Sequence, residues 1–182
     1  AKAQRIAIID DRTAYGQGIA DGFEANIKKL GGTVVKREYT TDKASDFMAI
    51  LTAIKASNPD LIFFGGMDTQ AAPLVKQMKT LGIQAQYLGG DGSYTASFIK
   101  NAGAAAEGAI ASLPGKPLEQ MPKGPDFKKR YEAKHGKIEL YATYNYDAVM
   151  VMVEAMKRAN STKPQDYLPE VAKTNHEGVT AT

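Results

Sequence analysis

Residues 5–32 read RIAIIDDRTAYGQGIADGFEANIKKLGG, and the order of patterns in this stretch decides the fold. Residues 5–9 are a short apolar run before two aspartates, which is typical of a buried strand that enters a turn. A helix is predicted from Gly16 onward, because apolar side chains recur there at helical spacing, namely Ile19, Phe23, Ile27 and Leu30. Gly31 and Gly32 supply the left-handed stop of this helix.

The same theme of strand, turn and amphipathic helix is repeated along the first 115 residues. Four further strands are predicted, over 33–39, 61–64, 86–88 and 108–112. Three further helices are predicted, one N-capped by Thr41 or Asp42 and ended by Asn58 and Pro59, one through 74–81 and one over 95–101. Strands and helices that alternate through short connections predict right-handed βαβ units, and therefore an α/β fold with a doubly wound parallel sheet.

The second part of the chain has a different composition. Residues 116–125 are rich in proline, and they predict a linker or crossover between residues 1–115 and residues 126–182. The last part is predicted to be helical, with helices over 126–135, from Tyr144 to Asn160 and over 164–173, before a final strand over 178–182.

The helix predicted from Tyr144 to Asn160 contains six successive apolar residues, 148–153. A run of this length circles a helix, so it predicts burial on nearly every side. Two interpretations are open: this is a central core helix of the same domain, or its packing partner lies outside this chain. The second interpretation also predicts an exposed apolar patch and self-association of the chain through this helix.

Composition and charge narrow the classes of protein. The chain has 182 residues, of which 43% are hydrophobic and 24% are charged, as in a soluble globular domain. It contains no cysteine, which excludes disulfides, thiolate metal sites and a thiol nucleophile. The net charge of +3 is too small to predict a nucleic-acid partner or a membrane surface.

Two motifs near the first strand resemble phosphate chemistry but lack parts of it. Gly16, Gly18 and Gly22 resemble a loosened dinucleotide fingerprint, yet six residues separate Gly16 from the predicted strand. Asp10 and Asp11 resemble the acidic pair of a receiver domain. The phospho-accepting aspartate should then end the third strand, where two glycines stand instead. We interpret Asp10 and Asp11 as caps of the following turn.

Motifs for catalysis are absent from the sequence. His135 and His176 have no serine or acidic partner at a suitable local spacing, and there is no HExxH, GxSxG or P-loop motif. We therefore predict no catalytic residue, no metal site and no cofactor.

Three of the predicted strands are followed by loops that can form a binding site. Ligands of parallel sheets bind beyond the carboxyl ends of the strands, and Tyr15, Met67 and Asp91 follow the first, third and fourth strands. Asp91 lies among glycines, so its carboxylate can pair with a ligand ammonium group while Tyr15 and Met67 line an apolar wall. The alternative for Asp91 is an ordinary turn residue.

Four stretches occur in order along nearly the whole chain: IAIIDDRTAYGQGIADGFEANIKKLGG (6–32), DLIFFGGMDTQAAPLVKQMKTLG (60–82), LGGDGSYTASFI (88–99) and YNYDAVMVMVEAMKRA (144–159). Together they resemble the periplasmic branched-chain amino-acid binding proteins, the type I solute receptors of ABC transporters. The resemblance implies two α/β lobes that close on a ligand without catalysis, a membrane permease as partner and a periplasmic location.

The resemblance also implies how this chain is divided. Residues 1–115 would form the flavodoxin-like second lobe, 116–125 the crossover, and 126–182 helices that return to the first lobe. The N-terminal part of that first lobe and the C-terminal end would lie outside the chain, so we expect a fragment.

The resemblance assigns roles to the three candidate residues. Asp91 would take the α-ammonium group of the amino acid, and Tyr15 would close over the ligand. Met67 stands where an aromatic residue often follows the glycine pair, which leaves the selectivity for the ligand side chain open. Two other functions are weighed against transport: a ligand-sensing domain of a regulator or receptor with the same fold, and an enzyme of flavodoxin-like architecture.

Overall fold

Within residues 3–181, which are the residues that the structure describes, five parallel strands form one sheet. The structure is a computed structural model. The strands are β1 (Arg5–Asp10), β2 (Thr33–Tyr39), β3 (Leu61–Gly65), β4 (Gln86–Gly89) and β5 (Ile110–Ala111). Their order is β2-β1-β3-β4-β5, and each neighbouring pair is parallel. The predicted α/β fold with a doubly wound parallel sheet is confirmed, although the fifth strand is shorter than predicted.

Helices cover both faces of this sheet. They are α1 (Ala14–Lys29), α2 (Met48–Ala56), α3 (Asp68–Thr80) and α4 (Ala96–Ala102). Ile6 and Ile8 of β1 belong to one buried cluster with Ala20 of α1. Ala7 and Ile9, which point to the opposite face, belong to a second buried cluster with side chains of α2, α3 and α4. The apolar runs of the central strands follow from this double cover, because neither face is left for water.

The order of the strands fixes where a ligand can enter. The chain passes from β1 to β2 on one side and then returns to place β3 on the other side of β1. In open parallel sheets, the crevice for ligands lies beyond the carboxyl ends of the strands at such a reversal. Asp10 and Gly65 are paired at these ends, so the loops that follow them border the crevice.

The prediction that Thr41 or Asp42 caps the second helix is wrong, because α2 begins at Met48. Residues 40–47 form a loop instead, and two glutamines of α3 hold it. Gln70 Nε2 donates a hydrogen bond to the carbonyl oxygen of Asp42, and Gln77 Oε1 accepts one from the backbone N–H of Phe47 at 2.6 Å. These tertiary hydrogen bonds satisfy backbone N–H and C=O groups of the loop. If the helix began at residue 41 or 42, hydrogen bonds within the helix would satisfy such groups instead.

The chain divides into two units, Ala1–Pro114 and Gly115–Thr182. The second unit contains α5 (Gly124–His135), α6 (Ala142–Ala159) and α7 (Pro164–Val171). The strand predicted over 178–182 is wrong for residues 178–181, and Thr182 lies outside the described residues. Asp147 of α6 accepts the backbone N–H groups of Val179 and Thr180, each at 2.8 Å, so a carboxylate takes the place of a neighbouring strand. The division into 1–115, 116–125 and 126–182 stays a prediction.

The apolar run of α6 is not buried on every side. Val149 is 51% exposed and Met152 is 40% exposed, and Ala148 is exposed beside them. The interpretation of α6 as a central core helix is therefore wrong within residues 3–181. In the same described part of the chain, none of the helices combines the length and the apolar character needed to cross a bilayer.

Candidate functional site

Tyr15 reaches from the first turn of α1 to the loop that follows β4. Its hydroxyl donates a hydrogen bond to Asp91 Oδ1 at 2.8 Å and accepts one from the backbone N–H of Gly92 at 3.0 Å. Met67 also borders this loop, because a Cβ atom added to Gly92 would lie 2.7 Å from Met67 Sδ and 3.1 Å from Tyr15 Oη. The structure thus brings all three predicted residues together at the carboxyl edge of the sheet. Their role in binding stays a prediction.

Asp10 and Asp11 cap the turn that places Tyr15. Asp10 Oδ1 accepts the backbone N–H of Arg12 at 3.1 Å. Asp11 Oδ1 accepts the backbone N–H of Thr13 at 2.9 Å and its hydroxyl at 2.6 Å. Thr13 is in turn the N-cap of α1. The interpretation of the two aspartates as turn caps is confirmed, and Tyr15 follows this cap by two residues.

The second oxygen of Asp10 is also occupied. Asp10 is fully buried, and its Oδ2 lies 2.6 Å from Nη2 of Arg37 on β2. The same guanidinium pairs with two carboxylates of α1, Asp21 at 2.8 Å and Glu24 at 2.7 Å. This network links β1, β2 and α1. The negative charge of Asp10 is therefore used in an ion pair that holds these elements together.

Gly16 allows α1 to start directly against the sheet. A Cβ atom at Gly16 would overlap Asp11 Oδ1 and would lie 2.5 Å from the carbonyl oxygen of Gly65 at the end of β3. Gly18 and Gly22 have open space at the same position. The glycine pattern therefore contains one residue that close packing requires, and the other two face outward. No phosphate-binding role follows from it.

The loop after β4 packs closely against Tyr15, because both residues that flank Asp91 are glycines. A Cβ atom at Gly90 would lie 2.7 Å from Tyr15 Oη and also 2.7 Å from Cδ1 of Ile19. Together with Gly92, this glycine forms a notch in which the phenol of Tyr15 sits. Below the loop, the hydroxyls of Ser93 and Tyr87 are hydrogen-bonded at 2.9 Å in a buried position.

Burial raises the pKa of Tyr15 to about 12. The backbone N–H of Gly92 opposes this effect, while Asp91 and, more weakly, Asp11 add to it. The phenol therefore keeps its proton at neutral pH and remains a hydrogen-bond donor to Asp91. A half-exposed methionine, a protonated phenol and a carboxylate form a surface that suits an ammonium group joined to an apolar side chain.

Tyr94 is an exposed aromatic residue of the same loop and is not among the predicted site residues. It is 54% exposed and follows the short helical turn Asp91–Ser93. The next residue, Thr95, donates a hydrogen bond to Asp68 Oδ2 at 2.6 Å, which ties this loop to α3. An aromatic residue three positions after the candidate carboxylate was the available signal.

Both histidines contact side chains of the second unit. His176 Nδ1 lies 2.8 Å from Glu154 Oε1 within the second unit, and the ring of His135 lies 5.1 Å from that of Tyr131. Among the residues from 3 to 181, no cluster of three or more acidic, histidine or cysteine side chains is placed to hold a metal ion.

Comparison with known proteins points to one family. A family model described as periplasmic binding protein matches residues 1–182. Among curated relatives, a Leu/Ile/Val-binding protein homolog 3 of Brucella melitensis is 33% identical over 177 residues, covering 97% of this chain and 47% of that protein. An amino acid binding protein of Pseudomonas aeruginosa is 32% identical over 165 residues, covering 90% of this chain and 44% of that protein.

Solved structures agree with the sequence relatives. The leucine binding protein LivK of Thermotoga maritima has a TM-score of 0.88 and 29% identity, over 98% of this chain and 52% of its own. The branched-chain amino acid transporter substrate binding protein LivJ of Streptococcus pneumoniae, solved with isoleucine, has a TM-score of 0.79 and 27% identity, over 99% of this chain and 52% of its own. The chain thus spans about half the length of the relatives that it matches.

Proposed function

This chain belongs to the periplasmic binding protein family, and we propose from that premise that it supplies one wall of an amino-acid binding cleft. The protein would be the substrate-binding component of an ABC transporter for branched-chain or related amino acids. The observation that carries this proposal is the junction of Tyr15, Met67 and Asp91 at the carboxyl edge of the sheet.

The chemistry of the junction fits an amino acid better than a nucleotide. Asp91 offers a negative charge to an α-ammonium group, and charge-assisted hydrogen bonds of this kind are among the stronger ones. Met67, which is 47% exposed, offers an adaptable apolar surface to an aliphatic side chain. The names of the relatives, which include Leu/Ile/Val-binding proteins, support the same ligand class.

The remaining parts of the proposal concern the whole protein. Residues 1–115 would be the second lobe, 116–125 the crossover and 126–182 the return to the first lobe. Binding would occur by lobe closure, without covalent chemistry. We propose a periplasmic location and a membrane permease as partner, in line with the family to which the chain belongs.

Calorimetry with the full-length protein that contains this sequence tests the proposal. A panel of amino acids should include leucine, isoleucine and valine, with a nucleotide, a flavin and a phosphodonor as the non-amino-acid set. We expect heat of binding from at least one branched-chain amino acid. Binding confined to the second set, or turnover of any of its members, would favour an enzyme of flavodoxin-like architecture instead.

We propose that this chain on its own self-associates through α6. Val149 and Met152 form an exposed apolar stripe. In a preparation of this chain alone, the stripe can be buried by contact with a second copy of the chain. Replacing both residues with glutamate should convert the associated species into monomer in sedimentation experiments. Lys157→Glu, which changes an exposed charge on the same helix, should leave the association in place. A wild-type chain that sediments as a monomer at all concentrations contradicts the proposal.

A further inference from the structure

We propose that Tyr15 is a positioning residue for the Asp91 carboxylate, so that its hydroxyl acts on the ligand through Asp91. This inference rests on the proposed amino-acid binding function. It assigns to Tyr15 a role different from that of an aromatic lid over the ligand, which is the role that the family resemblance implies.

The capacity of the hydroxyl supports the assignment. A phenol has one proton to donate and two lone pairs to accept with. The Tyr15 hydroxyl donates its one proton to Asp91 Oδ1 at 2.8 Å, and one of its lone pairs accepts the N–H of Gly92 at 3.0 Å. While these bonds persist, the hydroxyl has no proton left for a ligand. Asp91, by contrast, is a carboxylate with about four acceptor positions, so it can accept from Tyr15 and from an ammonium group together.

The backbone around Asp91 explains why a positioning residue is useful there. Gly90 and Gly92 flank the aspartate, and glycine is the residue with the greatest backbone freedom. The Tyr15 hydroxyl bonds one side chain and one backbone group of this segment, Asp91 and Gly92, from a helix that is 76 residues away in sequence. The Tyr15 hydroxyl therefore links α1 to both the backbone and the carboxylate of this segment.

The notch seats the hydroxyl closely. Cβ atoms at Gly90 and Gly92 would lie 2.7 Å and 3.1 Å from Tyr15 Oη, so a side chain at either position would displace it. Tyr15 itself lies in the first turn of α1, which is capped by Thr13. The glycines are thus explained by the space that the phenol occupies, and the phenol by the bond that it makes to Asp91.

A double-mutant cycle in the full-length protein tests this role, with L-leucine as the probe and calorimetry as the measurement. Tyr15→Phe keeps the ring and removes the hydroxyl, and we expect it to weaken leucine binding about tenfold, the scale of one hydrogen bond to a charged group. In the Asp91→Asn background, the same change should alter binding by less than about twofold, because the charge that Tyr15 positions is already lost. Tyr39→Phe, on an exposed tyrosine of β2, is the matched control and should bind leucine as the wild type does.

Each outcome separates this inference from the proposed function. If the wild-type protein binds no amino acid, the proposed function fails first. If Asp91→Asn binds as tightly as the wild type, the assignment of the carboxylate fails. If both hold but Tyr15→Phe weakens binding tenfold in the Asp91→Asn background as well as in the wild type, the hydroxyl acts on the ligand independently of Asp91 and the positioning role is overturned. A Tyr15→Phe variant that binds as the wild type does also overturns it. Thermal unfolding should show that each variant is folded at the temperature of the titration, so that a loss of affinity is measured on folded protein.

Discussion

Asp91→Asn in the full-length protein is expected to weaken the binding of branched-chain amino acids by roughly 30-fold or more, which corresponds to a loss of at least about 2 kcal/mol. The substitution removes the charge that would pair with the ligand ammonium group. It keeps an oxygen that can still accept the hydrogen bond from Tyr15, which is 2.8 Å long in the structure. The loss therefore reports on charge recognition, and isothermal titration calorimetry measures it.

Asp42→Asn is the control for this prediction. Asp42 is an exposed aspartate in the loop after β2, so its substitution makes the same change in net charge at the same edge of the sheet. We expect it to bind amino acids as the wild type does. Equal weakening by both variants would mean that the ligand responds to negative charge anywhere at this edge of the sheet, and the specific assignment of Asp91 would be wrong.

The sheet could be predicted from the sequence because its signals are local. The apolar residues of β1 and β3 lie in short runs that end in turn residues, and both strands were located within one residue of their ends. The prediction of a helix cap at Thr41 or Asp42 was wrong for the opposite reason. The loop that contains these residues is held by Gln70 and Gln77, which lie 28 and 30 residues away from their partners and leave no local signal.

The candidate site shows the same division. Tyr15, Met67 and Asp91 could be placed at one edge, because the carboxyl ends of parallel strands lie together. The hydrogen bond between Tyr15 and Asp91 could not be foreseen, since it depends on how closely the first turn of α1 approaches the loop after β4, and the two residues are 76 positions apart in sequence. The exposure of the apolar stripe on α6 could not be predicted for a similar reason. A sequence pattern does not say which side of a helix packs against a neighbour.

The glycines of α1 are a further case in which sequence alone does not separate function from packing. Gly16 and Gly18 belong to one motif, yet only the first is enclosed. Gly16 is buried, and a Cβ atom there would meet the backbone oxygen of Gly65 at 2.5 Å and overlap the carboxylate of Asp11. Backbone and a hydrogen-bonded carboxylate cannot move aside as the end of a flexible side chain can.

Gly16→Ala should therefore lower the free energy of unfolding by about 3 kcal/mol, at the upper end of the usual cost of overpacking. For a domain of this size, such a loss lowers the midpoint of thermal unfolding by roughly 6–12 °C. Gly18→Ala adds the same methyl group two residues later, where the structure has open space. It should leave stability unchanged or raise it by about 0.5–1 kcal/mol, because alanine has a higher helix propensity than glycine.

Differential scanning calorimetry on the two variants compares one chemical change in two environments. If both raise the midpoint equally, α1 does not start against β3 as described, and the placement of Tyr15 that depends on it is wrong as well.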